Sequence, residues 1–158
     1  MTVKCALLFL FACHGTPDGK PQPYVEAVGK GSGAVVDQIT VNVTALRSDE
    51  GTVRCFLYND GTDFPDSATH VIAKAVALPA AHAGTCVFSG VAQNSDYAIV
   101  ILHDENNDDV FQKNALGIPQ EGYGFSNNAK ARFSAPSYDD CKFHFATGAF
   151  ALPISMQY

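Results

Sequence analysis

Short segments in which apolar and polar residues alternate recur along the chain from residue 39, and this pattern limits the fold more than any other feature. In the first segment, apolar residues at 39, 41, 43 and 45 alternate with Thr40, Asn42 and Thr44. Successive side chains of a strand point to opposite faces, so this spacing predicts a strand with one buried face. Strand-like segments of this length are found at 39–45, 52–58, 71–78, 86–91, 97–103, 142–146 and 150–158.

About seven short strands separated by turns predict an all-β, immunoglobulin-like or transthyretin-like antiparallel β-sandwich. Segments 39–45 and 52–58 are predicted to form a hairpin. Alanines between 68 and 78 favour a short helix as the alternative to the third strand. Segment 97–103 is apolar on both faces, which predicts a central strand that carries His103 and Asp104 to the surface. Tyr97 is placed for a tyrosine-corner hydrogen bond, and Pro153 predicts that the last strand lies at an edge.

Length and charge bound the class of protein. The chain has 158 residues, 47% of them apolar, which suits a single domain with a buried core. Its net charge is -6, and no run of Lys or Arg offers a basic patch. We therefore expect no nucleic-acid binding.

The first residues resemble an export signal. Lys4 precedes the apolar run CALLFLFAC, which ends at Cys13 and is too short to span a bilayer. Residues 1–13 are interpreted as a signal peptide or a lipoprotein signal, with an apolar N-terminal strand as the alternative. Residues 14–38, rich in Gly and Pro, are predicted to be a flexible linker before a domain at 39–158. The expected location is periplasmic, secreted, or anchored to the outer membrane by a lipid on Cys13.

Three cysteines, Cys55, Cys86 and Cys141, fall within or beside strand-like segments. Buried free thiols are the first interpretation, because a reduced cysteine behaves as a small apolar residue. One disulfide is the alternative, which export would permit.

An acidic loop follows the central strand. Four acids and two amides occur between His103 and Asp109, and oxygen donors at alternate positions of a tight loop are typical of calcium sites. The spacing departs from an EF-hand, since Asp109 replaces its glycine and Ala115 its final Glu. The first interpretation is a self-capped, solvated Asx loop, and a looser Ca²⁺ loop is the alternative. The candidate metal ligands are Asp104, Asn106, Asp108, Asn114 and Glu121.

The run from His103 to Phe143 resembles a bacterial family of uncharacterised exported proteins, domain-of-unknown-function family 2141. The similarity rests on HD-x-N at 103–106, on the motif G-x-P-x-EG-x-GFSN at 117–127 and on APSY at 135–138. Asp108, Asp109 and Gln112 depart from the family pattern, which weakens any metal site carried over from it. The resemblance covers roughly residues 39–158 and implies a β-sandwich with a periplasmic or cell-surface location. It implies no activity.

The glycine-rich segment GIPQEGYGFSNN belongs to a long loop, about 105–141, that is predicted to be ordered. It forms either a structural cap over the core or a surface for a ligand or partner. Ser126 lies in GFSNN and not in a G-x-S-x-G nucleophile motif, and no catalytic residues are predicted. We expect a non-catalytic binding or interaction module for an unknown protein or small molecule. The alternatives are a purely structural cell-envelope domain and, less favoured, a hydrolase-like enzyme.

Overall fold

The computed structural model describes residues 36–66, 69–110, 119–132 and 134–158, so the predicted signal segment and nearly all of the predicted linker lie outside it. The described residues form eight strands, one 3₁₀ turn and a one-turn helix. In chain order these are β1 (Gln38–Thr44), β2 (Thr52–Tyr58), β3 (Ala73–Ala77), β4 (Gly84–Ser89), β5 (Ser95–Asp104), β6 (Gly122–Phe125), the 3₁₀ turn (Ser126–Asn128), α1 (Tyr138–Cys141), β7 (Phe143–Phe145) and β8 (Ala149–Ser155).

The strands form two sheets that pack as a sandwich, which confirms the predicted fold class. One sheet has the order β4-β1-β8, and the other has the order β3-β2-β5-β6, with β7 also paired to β5. All seven predicted strands are present, and the alanine-rich segment is a strand and not a helix. Pro153 lies in β8, an edge strand, as predicted.

Two predictions about strand pairing were wrong. The first two strands do not form a hairpin, because β1 pairs with β4 and β8 whereas β2 pairs with β3 and β5 in the other sheet. The connection 45–51 is longer than a tight hairpin turn and carries the chain across the sandwich. The arrangement is also not purely antiparallel, since β1 and β8 run parallel.

The central strand β5 is buried on both faces, as predicted. Its odd-numbered residues, including Ile99 and Ile101, point into the core between the sheets. Ala98 and Val100 point the other way, into a second apolar cluster beneath Cys141 and its neighbours in α1. The Tyr97 hydroxyl donates to the Ala92 carbonyl at 2.9 Å, which is the predicted tyrosine corner.

A disulfide joins the two sheets. Cys55 of β2 is bonded to Cys86 of β4, with 6.4 Å between their Cα atoms, and Cys141 is a buried free thiol. The preferred interpretation of three free thiols was therefore wrong for this pair and right for Cys141. Burial raises the pKa of the Cys141 thiol to about 12, which keeps it protonated.

The strand β6 is where the sequence prediction missed an element. It pairs antiparallel with residues 100–103 of β5, inside the segment that was predicted to be loop. A Cβ at Gly122 would lie 2.5 Å from the ring of Tyr158, and one at Gly124 would lie 3.0 Å from Ile154. These glycines therefore allow close packing of the strand against the end of the chain. In the part of the chain described, no helix has both the length and the apolar character to cross a membrane.

Asp37, just before β1, anchors the start of the sandwich. Its carboxylate accepts hydrogen bonds from the backbone N–H of Gly148 at 2.8 Å, from the Thr147 hydroxyl at 3.1 Å and from the Gln93 amide at 2.7 Å. The hydrogen bond from Gly148, followed by that from Gln93, lowers the pKa of Asp37 below its ordinary value. Asp37, which the sequence analysis placed in the linker, therefore takes part in the contacts of the sandwich.

We expect the stabilising effect of Asp37 to depend on pH. A carboxyl whose pKa is lower in the folded than in the unfolded state stabilises the fold above its unfolded pKa and loses that effect as the pH falls through the folded pKa. Asp37→Asn should lower Tm by about 2 to 4 °C at pH 7. The difference in Tm between the variant and the natural chain should shrink as the pH falls below the ordinary aspartate pKa of about 3.9, in thermal melts recorded from pH 7 to about pH 2.5. A difference that stays constant down to pH 2.5 would contradict this assignment.

Candidate functional site

The candidate site lies where β5 ends. His103 and Asp104 are its last two residues, and they are 0% and 3% exposed. The prediction that they reach the surface was wrong, because the turn at residues 48–51 and the end of the chain cover them. Gly51, with φ +69°, makes this cover possible: a Cβ there would lie 2.5 Å from the Cα of Glu105.

Both ring nitrogens of His103 are engaged in contacts within the fold. Nε2 lies 2.9 Å from the carbonyl oxygen of Glu50, which can only accept, so Nε2–H is the donor. Nδ1 lies 2.8 Å from the Tyr158 hydroxyl oxygen. That oxygen accepts a hydrogen bond from the backbone N–H of Arg47 at 3.0 Å. His103 therefore ties together the 48–51 turn, β5 and the residue at the end of the chain.

The acidic loop is held by its own carboxylates. The two oxygens of Asp104 accept from the backbone N–H groups of Asp108 and Asp109, each at 3.2 Å. Asn106 Oδ1 accepts from the Asp108 N–H at 3.0 Å, and Asp108 Oδ1 accepts from the Val110 N–H at 2.8 Å. These contacts match the predicted self-capped Asx loop, and they leave lone pairs on the carboxylates for a further partner.

Three of the five predicted metal ligands converge. Asp104, Asp108 and Glu121 each offer a carboxylate oxygen, and these oxygens lie within 4.8 Å of one another. Calcium binds oxygens at about 2.3 to 2.6 Å, so two ligands on opposite sides of one ion are about 4.6 to 5.2 Å apart. Asn106 lies beside this cluster and donates to Asp108 Oδ2 at 2.8 Å, while Asn114 lies outside the described residues.

Two arginines, which the sequence analysis did not single out, balance part of this charge. The Nε of Arg54 on β2 lies 2.9 Å from Asp104 Oδ2, and its guanidinium also pairs with Asp109. Arg47 pairs with Glu105, and its hydrogen bond is the main cause that lowers the pKa of Glu105. Five carboxylates meet in this part of the described structure, and the two guanidinium groups pair with three of them, those of Asp104, Asp109 and Glu105.

The arginine positions follow from strand pairing, which local sequence does not reveal. Arg54 is the register partner of Leu102 in the antiparallel ladder of β2 and β5, two residues from Asp104 along β5. Arg47 comes from the connection between the sheets, 58 residues from Glu105 in the chain. A charged residue in the middle of a strand-like segment was the available signal for Arg54.

Ser126 is buried and hydrogen-bonded within the fold. It is fully buried, its hydroxyl donates to the Cys141 carbonyl at 2.7 Å, and it accepts from the Ile99 N–H at 2.8 Å. The hydroxyl thus joins β5 to α1 in the second apolar cluster. That the chain has no catalytic function stays a prediction.

Comparison with known proteins places this arrangement in a family. A family model described as "Uncharacterized protein conserved in bacteria (DUF2141)" matches residues 41–151, from β1 to β8, and includes the acidic loop and β6. No curated protein and no solved structure shows a significant match. Because the matched region covers well over half of the 158 residues, the chain belongs to this bacterial family of uncharacterised proteins.

Proposed function

We propose that the protein is an exported, non-catalytic β-sandwich module that binds calcium at the acidic loop. The cap predicted at about 105–141 would serve as its surface for binding or interaction. The observation that carries the proposal is the convergence of the carboxylates of Asp104, Asp108 and Glu121, whose oxygens lie within 4.8 Å of one another. Hard oxygen donors and local negative charge are what Ca²⁺ requires. The ion would also relieve repulsion among carboxylates of which Asp104 and Glu121 are buried.

Export is supported by the disulfide between the sheets. Disulfides persist in oxidising compartments such as the bacterial periplasm and are rare in the reducing cytosol. Cys55 and Cys86 are 0% and 1% exposed, so their bond lies in the core of the sandwich. The apolar run that ends at Cys13 resembles an export signal, and this resemblance also supports the proposal.

A purely structural envelope domain is the second candidate, and the packing of the cap favours it. Phe125 is 4% exposed, and Tyr123 and Tyr138 pack against the second apolar cluster. Aromatic side chains that pack inward stabilise a cap, whereas a ligand surface would present some of them to solvent.

Calcium is expected to stabilise the full chain against heat. At 100 times its dissociation constant, a ligand that binds only the folded state adds about 2.7 kcal/mol, which for a domain of this size raises Tm by about 8 to 15 °C. We would compare thermal melts in 1 mM CaCl₂, in 1 mM MgCl₂ and in excess chelator. The rise should be largest with Ca²⁺, because Mg²⁺ demands stricter octahedral geometry.

Two neighbouring substitutions provide a matched pair for this test. Asp108→Asn removes one charge from the cluster but keeps the oxygen that accepts from Val110, so the loop should remain folded. Asp109→Asn removes the same charge one residue away, outside the three converging carboxylates. We expect Asp108→Asn to abolish most of the calcium-dependent rise and Asp109→Asn to retain it. Absence of any rise in the natural chain would refute calcium binding and leave the structural role.

A further inference from the structure

We propose that a second site, separate from the acidic loop, binds a small soluble molecule that carries a phosphate group. The site is a concave surface that we call the basic groove, lined by Lys130, Arg132, Ser134, Ala135, Pro136 and Asp140 among others. Its volume is about 700 Å³, and it is shallow and widely open to solvent. It lies between the 3₁₀ turn and α1 and shares no residue with the acidic loop.

The cations of the basic groove differ from the other cations in the described residues. Arg47, Arg54 and Lys142 form ion pairs with carboxylates, and Lys74 lies 5.8 Å from the ring centroid of Phe56. Within the described ranges, Lys130 and Arg132 have neither an ion pair nor a ring contact, although the chain carries a net charge of -6. Both side chains line the same groove, so a local positive charge faces a cavity on an acidic protein.

The groove combines the groups that recognise phosphate. Arg132 supplies a planar guanidinium that can bind two oxygens at once, and Lys130 supplies a second positive charge. Ser134, exposed and two residues further, adds a hydroxyl donor. A phosphate monoester carries close to two negative charges at neutral pH and several acceptor oxygens, so it can contact both cations at once. Ala135, which is exposed, offers a small apolar surface for the organic part of such a ligand, whereas Pro136 beside it is buried.

Asp140 also lines the groove, but its carboxylate is directed to Ser137. It accepts from the Ser137 hydroxyl at 2.6 Å and from the Ser137 N–H at 3.1 Å, which forms the capping box of α1. These hydrogen bonds lower the pKa of Asp140, so it keeps its charge, and the groove as a whole retains one positive charge. That residual charge favours an anion.

The test is a titration of the full chain with inorganic phosphate, in which the backbone amide chemical shifts are measured at each phosphate concentration. Chloride keeps the ionic strength constant, and no calcium is present. We expect saturable shifts confined to the groove and α1, with millimolar affinity, since both cations are exposed. Arg132→Gln should weaken binding about three- to tenfold. Lys74→Gln, which removes one positive charge outside the groove, should leave the affinity unchanged.

Two further binding experiments distinguish a soluble phosphate compound from a lipid headgroup. Glycerol 3-phosphate should bind at least as tightly as inorganic phosphate, because its carbon chain can contact the apolar part of the groove. Vesicles of phosphatidylglycerol and of phosphatidylcholine should bind equally poorly. Chemical-shift changes that increase linearly with phosphate concentration, without saturation, would overturn the proposal. Changes in Arg132→Gln as large as those in the natural chain would also overturn it. Binding to phosphatidylglycerol vesicles alone would also overturn it and assign the basic groove to a membrane surface.

Discussion

Replacement of both disulfide cysteines, Cys55→Ala with Cys86→Ala, is expected to lower the free energy of unfolding by about 3 to 4 kcal/mol. The two residues are 31 positions apart, and a cross-link over a loop of that length restricts the unfolded chain by about this amount. Urea denaturation of the natural chain and of the double variant measures the difference. For a domain whose total stability is of the order of 5 to 15 kcal/mol, the loss is a large fraction.

Cys141→Ala is the control for this experiment. Cys141 is buried and unbonded, so its replacement removes one sulfur atom and should cost only about 1 kcal/mol. Addition of a reductant should destabilise the natural chain and Cys141→Ala alike and leave the double variant unchanged. If the reductant has no effect on any of the three proteins, the disulfide is not formed in solution.

The architecture could be predicted because alternation of side chains is a local property. Alternate residues are buried in segment 39–43, whereas β5 is buried on both faces. In both cases the residues of the segment themselves indicate which faces of the strand are covered. Pairing between strands is not local, and this explains why the hairpin prediction failed. The apolar faces of β1 and β2 face each other across the core, which is as compatible with their sequences as pairing side by side.

The disulfide could not be assigned for the same reason. Its formation depends on β2 and β4 lying in opposite sheets with both cysteines directed inward. The strand β6 was missed because glycine at 122 and 124 is unfavourable in an isolated strand. Tertiary packing overrides this preference, since Tyr158 and Ile154 fill the space that side chains at these positions would occupy.

The candidate site, too, could be predicted from the sequence only where it depends on local residues. Asp104 and Asp108 were recognisable because both belong to one short acidic loop, and Glu121 was recognisable as the acid nearest to it in a glycine-rich segment. Their convergence requires β6 to return beside the end of β5. The roles of Arg54 and Gly51 arise only from the sheet register and from the connection between the sheets, which no local pattern contains.

Gly51→Ala is expected to destabilise the fold by at least about 3 kcal/mol and also to weaken the proposed calcium response. Two costs add at this position. A left-handed φ of +69° is unfavourable for alanine by about 1 to 2 kcal/mol, and the new Cβ would overlap the Asp104 carbonyl oxygen and lie 2.5 Å from the Cα of Glu105. Backbone atoms cannot rotate away, so the turn or the acidic loop must shift and Asp104 must move with it.

Gly90→Ala separates these two costs. Gly90 has nearly the same φ, +70°, but a Cβ there meets no atom within 4 Å. We expect it to cost only about 1 to 2 kcal/mol in urea denaturation and to leave the calcium-dependent rise in Tm unchanged. If Gly51→Ala proved no more destabilising than Gly90→Ala, the turn would not press against Asp104 and Glu105 in solution. A large loss of stability together with a reduced calcium response would instead show that the fit of this turn holds the acidic loop in its binding geometry.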